Sequence, residues 1–313
     1  MTDGPWQISS ALSPVSPQAH AISELLISVI ILVSVVGLVV IGLVTWSIVR
    51  YRVRGDGEPP QVEGSATMEM IYTGIPLAIM VTLFVYTVRT MNRAEPSTIG
   101  KDPELVIIGH QWWWEVRYPM AGVVTANEIH LPLGRPLVAE LRSADVIHEL
   151  WVPQIGPKLA DVPGQTNRLL IESNSEGTFL GQCAEFCGAG HAWMRVRVIV
   201  QPPDQFRQWE QEQRSPPEPV RGDAARGRQL FLSRTCIQCH SIEDTSTEGH
   251  AGPDLTHVAS RATLAAGALE NTPDNLKQWL SDPQLVKPGC HMPNMHLSAD
   301  EINELTAYLE SLK

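Results

Sequence analysis

Within twelve residues the segment Cys183-Ala-Glu-Phe-Cys187-Gly-Ala-Gly-His191-Ala-Trp-Met194 places two thiols, an imidazole and a thioether. Thiolate, imidazole and thioether donors suit copper better than magnesium or calcium. A mononuclear blue-copper site needs one cysteine; two on a short loop allow a pair of thiolates to bridge two copper ions. A second imidazole must then come from elsewhere in the fold. His148, in SADVIHELWVP at the end of a strand-like run, is the candidate. A Cys183–Cys187 disulfide or a structural zinc site would also use the thiols. Neither gives Met194 or His148 anything to do.

A second constellation, Cys236-Ile-Gln-Cys239-His240, is the C-x-x-C-H signature of covalent c-type haem. Two thioethers would hold the porphyrin while His240 supplies the proximal nitrogen. A thiol redox pair shares the first four positions, but the context favours haem. RGRQLFLSRTC leads in as a helix, Gly252-Pro253-Asp254-Leu255 follows, and Lys287-Pro-Gly-Cys-His-Met-Pro-Asn-Met295 precedes an amphipathic C-terminal helix. Met292 is the leading candidate for the distal ligand, with Met295, His291 and His296 as alternatives. A His/Met pair raises the potential, as an electron feeder requires. Cys290 reads as an unpaired thiol. His20, His110, His130, His250 and His257 have no ligand context.

The elements that must position these groups fall into four parts. Residues 1–100 contain an uncharged run of 25 residues between Glu24 and Arg50 and another of 19 between Glu69 and Arg89. Each is long enough as a helix to cross a hydrocarbon core of about 30 Å, so spans are expected at about 23–49 and 70–90. The first run is too long for a signal peptide and lacks its basic start and cleavage site, so it is expected to insert directly. Pro76 in the second is tolerated in a membrane bundle. Arg50, Arg52 and Arg54 follow the first span while residues 1–24 hold no Lys or Arg, which puts the loop in the cytoplasm and both termini outside. From 101 to 201, short β-rich runs (LVIIGH, WWWEVRY, LVAEL, RLLIE, MRVRVIV) separated by turn residues predict an antiparallel all-β sandwich or barrel. Residues 202–222 are polar with prolines at both ends and read as a linker with one short helix. Residues 223–313 are helical in pattern, with N-cap residues opening TPDNLKQWLSD and LSADEINELTAYLESL.

The CAEFCGAGHAWM motif, its spacing and the upstream SADVIH resemble the dinuclear copper (CuA) cupredoxin domain of cytochrome c oxidase subunit II, and the resemblance runs through residues 20–200. Residues 222–313 resemble a class I cytochrome c, and the order of parts resembles the cytochrome-c-fused, caa-type haem–copper oxidases. The fold class implied is a multidomain membrane protein with a two-helix transmembrane hairpin, a cupredoxin sandwich and an all-α haem domain. The resemblance implies that Cys183 and Cys187 bridge the coppers, that His148 and Met194 ligate one, and that His191 and the Glu185 carbonyl ligate the other. It implies that Trp112, in GHQWWWEVRY, receives electrons, and that Asp145 lies near the docking surface. It also implies that the Glu185 side chain links to magnesium at the subunit I interface, and that Glu69 marks the mouth of a proton pathway. An ordinary interfacial acid would sit equally well at Glu69. The Pro253 carbonyl would orient His240. The implied partners are subunit I with other oxidase subunits, the lipid bilayer and an external cytochrome or membrane-bound donor. The implied location is a bacterial inner membrane. The alternatives are a CuA subunit of a nitric oxide reductase or another haem–copper complex and, in a different class, a membrane-tethered binding or copper-delivery protein without turnover, which would need no haem.

The composition agrees with this division. The chain carries 34 acids against 23 bases, a formal net charge of −11, which argues against a nucleic-acid partner. Seven acids and five bases fall in residues 1–100, so −9 of the −11 lies beyond them, on the expected outer side, where it would steer a basic donor. Charged residues at 18% are not those of a disordered chain, and five cysteines, all after position 182, are no disulfide scaffold. The mean hydropathy of −0.05 averages two apolar spans with polar redox domains.

Overall fold

The computed structural model describes residues 10–52, 63–243 and 249–313 and divides into two units, residues 20–95 and the remainder. In the first unit, helix α1 (Pro17–Arg50) starts several residues before its uncharged run and ends at Arg50 just after it, and α2 (Ala66–Ala94) extends several residues beyond its run at both ends. Once hydrogen bonding has started, flanking polar residues can continue a helix. Apolar side chains stand exposed along both, Leu38, Ile48 and Phe84 among them. A helix apolar on all sides belongs in lipid or in a protein core. Glu69 lies in the first turn of α2 and Arg50 in the last turn of α1. Arg54 is outside the described residues.

The second unit holds a sandwich of two five-stranded sheets. The strands are β1 (Leu105–His110), β2 (Trp113–Tyr118), β3 (Val123–Ala126), β4 (Glu128–Pro132), β5 (Leu137–Ser143), β6 (His148–Trp151), β7 (Leu159–Asp161), β8 (Asn167–Ile171), β9 (Gly177–Cys183) and β10 (Arg195–Gln201). One sheet runs β3-β2-β1-β5-β8 and the other β4-β10-β9-β6-β7. The pairs β1/β5 and β4/β10 are parallel and the rest antiparallel, so the sheets are mixed rather than wholly antiparallel. In β10 the valines alternate inward from Arg195 and Arg197, the period-two pattern of a strand with one buried face. Leu105, Ile107, Trp114, Ile129, Leu131, Leu141 and Met194 fill the core. Each such side chain contributes roughly 1.5–3 kcal/mol on burial.

Helix α3 (Pro203–Gln213) occupies the first half of the polar stretch after β10. Its Phe206 and Trp209 are buried in the sandwich core. Trp209 stacks on His130 with ring centroids 4.0 Å apart. Only the residues after α3 are left as an open connection to the last domain.

That domain packs α4 (Gly222–Ser233) across α7 (Ala299–Glu310), with a hairpin of β11 (Thr263–Leu264) and β12 (Leu269–Glu270), then α5 (Pro273–Ser281) and α6 (Pro283–Val286). Ser298 and Glu301 form a capping box at the start of α7, and Arg226 pairs with Glu304 at 2.7 Å between α4 and α7. Phe231, Leu276, Leu280, Leu305, Tyr308 and Leu312 make its core. The hairpin is the departure from an all-helical domain, and it touches the sandwich. The Ala262 amide donates to Glu128 Oε1 at 2.8 Å, and the Arg195 amide donates to the Ala266 carbonyl at 3.3 Å.

Candidate functional site

His148 opens β6 and Cys183 closes β9, and these strands are neighbours in register, with Leu150 opposite Cys183. The loop after β9 returns Cys187, His191 and Met194 to the same volume before β10 begins. The Cys183 amide donates to the Met194 carbonyl at 2.9 Å and closes the loop. Cys183 Sγ lies 3.8 Å from Cys187 Sγ and 3.9 Å from His148 Nδ1. Cys187 Sγ lies 3.6 Å from His191 Nδ1 and 3.9 Å from Met194 Sδ. The carbonyl of Glu185 is 3.2 Å from Cys183 Sγ. His148, Cys183, Cys187 and Met194 are buried, and His191 is half-buried.

The donor set fits a metal. A sulfur separation of 3.8 Å far exceeds the ~2.05 Å of a disulfide and is readily spanned by two metal–thiolate bonds of about 2.3 Å each. His148 presents Nδ1 to the sulfur because Nε2 is held by Asp145 Oδ1 at 2.7 Å, the outer carboxylate that metal-ligating histidines use. Asp145 Oδ2 accepts in turn from the Gln111 amide at 2.6 Å. Burial would lower the His148 imidazole, but Asp145 and the Cys183 sulfur push it up to about 9. Hydrogen bonding from Cys187 outweighs burial and holds the Cys183 thiol well below the ordinary value, while the same pairing drives Cys187 upward. One thiolate is therefore preformed.

Close approach explains two glycines. A Cβ at Gly109 would lie 2.7 Å from the His148 ring, and one at Gly190 would lie 2.4 Å from the Trp112 ring. Trp112 is buried beside the loop, with Nε1 donating to the Cys187 carbonyl at 3.0 Å. Its other side meets the C-terminal domain, where the His291 ring lies 4.9 Å away. The Lys287 ammonium donates to the Trp112 carbonyl at 2.7 Å.

In the C-terminal domain, Cys236, Cys239 and His240 lie together at the end of the turn after α4, the His240 amide donating to the Cys236 carbonyl at 3.0 Å. His240 Nδ1 pairs with the Pro253 carbonyl at 2.8 Å, which leaves Nε2 as the ring's free donor. Met292 packs on the domain core. Met295 Sδ instead takes a weak contact from Thr235 Oγ1 at 3.8 Å. Gln284 Nε2 holds the loop by donating to the Cys290 and Met292 carbonyls at 2.8 and 2.9 Å. The side chain of Glu185 is exposed and joins no cluster of metal-type donors among the described residues. Glu69 belongs to the helical unit. Gln111, Lys287, Gly109 and Gly190 were not singled out by residue type. Only the proximity of GHQ to the WWW run, and of KPG to the HM pair, hinted at them.

Two apolar helices, a copper-competent β-sandwich and a C-x-x-C-H domain define a membrane-anchored electron-transfer subunit. Comparison with known proteins identifies which one. The profile for the transmembrane domain of cytochrome c oxidase subunit II matches residues 5–90, that for its periplasmic domain matches 120–201, and that for cytochrome c matches 224–313. Cytochrome c oxidase subunit 2 of Alkalihalophilus pseudofirmus is 37% identical over 316 residues, covering 97% of this chain and 91% of that protein. The corresponding protein of Bacillus sp. (strain PS3) is 33% identical, covering 82% and 77%, and that of Bacillus subtilis 31%, covering 85% and 81%. The chain belongs to the cytochrome c oxidase subunit II family. It is a membrane protein, with a copper-binding domain and a haem-binding cytochrome c domain, that works in complex with subunit I.

Proposed function

We propose that the chain is the electron-input subunit of a respiratory haem–copper oxidase. It takes electrons in at its C-terminal domain and delivers them through its sandwich to subunit I, where oxygen is reduced to water with proton translocation. The observation that carries this is the convergence of two thiols, two imidazoles and a thioether within 4 Å steps of one another, joined through Trp112 to the C-x-x-C-H domain. Bound there, a dinuclear copper centre supplies a one-electron acceptor with little rearrangement, and a covalent haem supplies a one-electron donor. Cys183, Cys187, His148, Met194, His191 and the Glu185 carbonyl are the groups that would hold the coppers, and the two thiolates would supply the shared sulfur donors. Asp145 fixes the His148 ring, and burial of the sulfurs excludes water. Cys236 and Cys239 would attach the porphyrin, His240, oriented by the Pro253 carbonyl, would supply an imidazole ligand to the iron, and Met292 would supply a thioether.

The finer parts of the reading follow from charge and position. Both termini lie outside a bacterial inner membrane, with the basic residues after α1 in the cytoplasm. The Glu185 side chain, exposed beside the copper loop, offers a hard ligand for magnesium shared with subunit I. Glu69 opens a proton path at the cytoplasmic start of α2. The acidic outer domains favour a basic cytochrome as external donor. Optical and EPR spectra of the full chain loaded with copper test the core of this. A mixed-valence copper signal with a c-type haem spectrum is the expected result, lost for copper in Cys183→Ser and for covalent haem in Cys236→Ala. A spectrum lacking either centre would overturn it. Oxygen against nitric oxide consumption by the purified complex separates the oxidase from a nitric oxide reductase.

A further inference from the structure

Lys287 is an anomaly. It is 4% exposed, yet none of the ion pairs among the described residues includes it. A buried ammonium without a carboxylate is costly unless its hydrogen bonds are well placed. Its Nζ donates to two carbonyls on opposite sides of the domain junction, Trp112 in the sandwich at 2.7 Å and Ala265 in the haem-domain hairpin at 3.2 Å. Charged or neutral, the Nζ carries N–H donors enough for both carbonyls. Its backbone is fixed as well, the Lys287 amide donating to the Pro283 carbonyl at 2.8 Å at the end of α6. From this anchor the chain runs through Gly289, whose Cβ would approach Ala189 of the copper loop to 3.2 Å, to His291 against the Trp112 ring and Met292 on the haem-domain core.

We propose that Lys287 is a positioning residue for electron transfer between the domains: it ties the loop that carries Met292 to the backbone of Trp112, so that the His291 ring seats on the indole. The inference rests on the functional reading above, in which Trp112 leads to the copper loop and Met292 faces haem. The transfer it serves moves one electron and no atoms, the haem iron going from ferrous to ferric as the copper pair is reduced by one. Carbonyl acceptors suit this task because they do not compete for the ammonium with a carboxylate that could carry it elsewhere. The latch also covers Trp112 with the chain's own donor, leaving that residue 7% exposed.

The test uses the full chain with both centres loaded. In Lys287→Met, which keeps the stem and removes the ammonium, the haem and copper spectra are expected to persist. Photoinitiated haem-to-copper transfer should slow by about tenfold or more, the scale on which small misplacements act, and oxidative footprinting should show Trp112 newly exposed. Lys287→Arg should recover part of the protection. Unchanged transfer together with an unchanged Trp112 footprint would overturn the proposal. Should the variant fail to fold, the unmodified protein decides. Acetylation of Lys287 should be far slower than of the exposed Lys158, and equal rates would overturn the latch. Absence of the copper spectrum from the wild-type chain would instead sink the underlying reading.

Discussion

Trp112 Nε1 and Gln111 Nε2 both donate to the carbonyl of Cys187, at 3.0 and 2.7 Å. The indole therefore has a direct hydrogen-bonded link to a residue whose sulfur lies in the copper loop. Trp112→Phe keeps an aromatic ring but removes the pyrrole half of the buried indole with its N–H donor. The lost hydrogen bond costs about 1 kcal/mol and the space left behind adds to it, with the copper spectrum retained through the Gln111 bond and copper reduction slowed. Gly190→Ala attacks the same contact from the other side. Its new Cβ would stand 2.4 Å from the ring, and overpacking of this kind costs roughly 1–3 kcal/mol. Thermal melts and stopped-flow reduction of the two variants check both expectations.

Asp145 and His148 give a metal-affinity prediction. Asp145→Asn leaves the copper donors intact and removes the carboxylate that fixes the imidazole at 2.7 Å. Loss of such an outer partner weakens metal binding by about 10–100-fold. Copper titration monitored optically checks this, and an unchanged affinity would reject the assigned role.

The same pair sets a pH dependence for copper uptake. With His148 pushed up to about 9 in the metal-free site, the imidazolium must lose a proton before Nδ1 can bind. Affinity should rise with pH, more steeply below about 9 where His148 must also deprotonate, and keep rising above it because the Cys187 thiol, driven upward by its pairing with Cys183, still has a proton to lose. Calorimetry in buffers of different ionisation enthalpy should register about two protons released per site below the His148 value and about one above it, and a release that does not change across that range would contradict the protonated His148.

The two clusters proposed to hold copper and haem were legible because their chemistry is written in residue type and spacing: C-x3-C-x3-H-x2-M and C-x-x-C-H. The two apolar helices were legible from uncharged runs, although α1 starts several residues earlier and α2 runs several residues further at each end. The mixed character of the sheets was not, because the parallel β1/β5 and β4/β10 pairs join strands far apart in sequence and strand alternation looks the same in either direction. Lys287 was hidden for a different reason. A lysine in KPGCHMP reads as a solvated loop charge, and only the docking of one domain on another buries it. The polar stretch 202–222 misleads in the same way. Phe206 and Trp209 are its only large apolar residues, spaced for one helix face, and that single face suffices to fix α3 on the sandwich.

Methionine choice in the haem loop separates by experiment. Met292 packs on the domain core, and Met295 turns to Thr235. Met292→Leu should lower the haem reduction potential, since loss of the thioether removes the ligand that raises it. Met295→Leu should leave the potential unchanged. Redox titration of the two variants gives the answer, and the reverse pattern would move the ligand to Met295.

Helix α3 turns most of the connection into part of the sandwich, so the remaining flexible length is short. Trp209→Ala removes the ring stacked on His130 at 4.0 Å and should destabilise the domain by about 3–5 kcal/mol, as large buried aromatics do. A free tether would show almost no change in the melting curve. Proteolytic cleavage after α3 should make electron input to copper slower and salt-dependent, because a tethered encounter becomes bimolecular. Unchanged stopped-flow traces after complete cleavage would reject the tether.

Docking of the haem domain should itself depend on pH through Lys287. Burial pushes its ammonium down to about 7 from an ordinary 10.5, with Arg195 adding to the fall and the Cys290 and Cys187 thiols opposing it. Between those values the separated domains hold more protons than the docked pair, so docking strengthens as pH rises. The contribution is complete above 10.5, is lost progressively as pH falls towards 7, and changes no further below. The slope within the window is at most about 1.4 kcal/mol per pH unit for one group. Footprinting of Trp112 from pH 6.5 to 9.5 should show increasing protection in the native chain, and the trend should be absent from Lys287→Met. A flat profile in the native chain, with Trp112 protected throughout, would mean that the two carbonyl acceptors hold the ammonium charged and that the latch works without a proton switch.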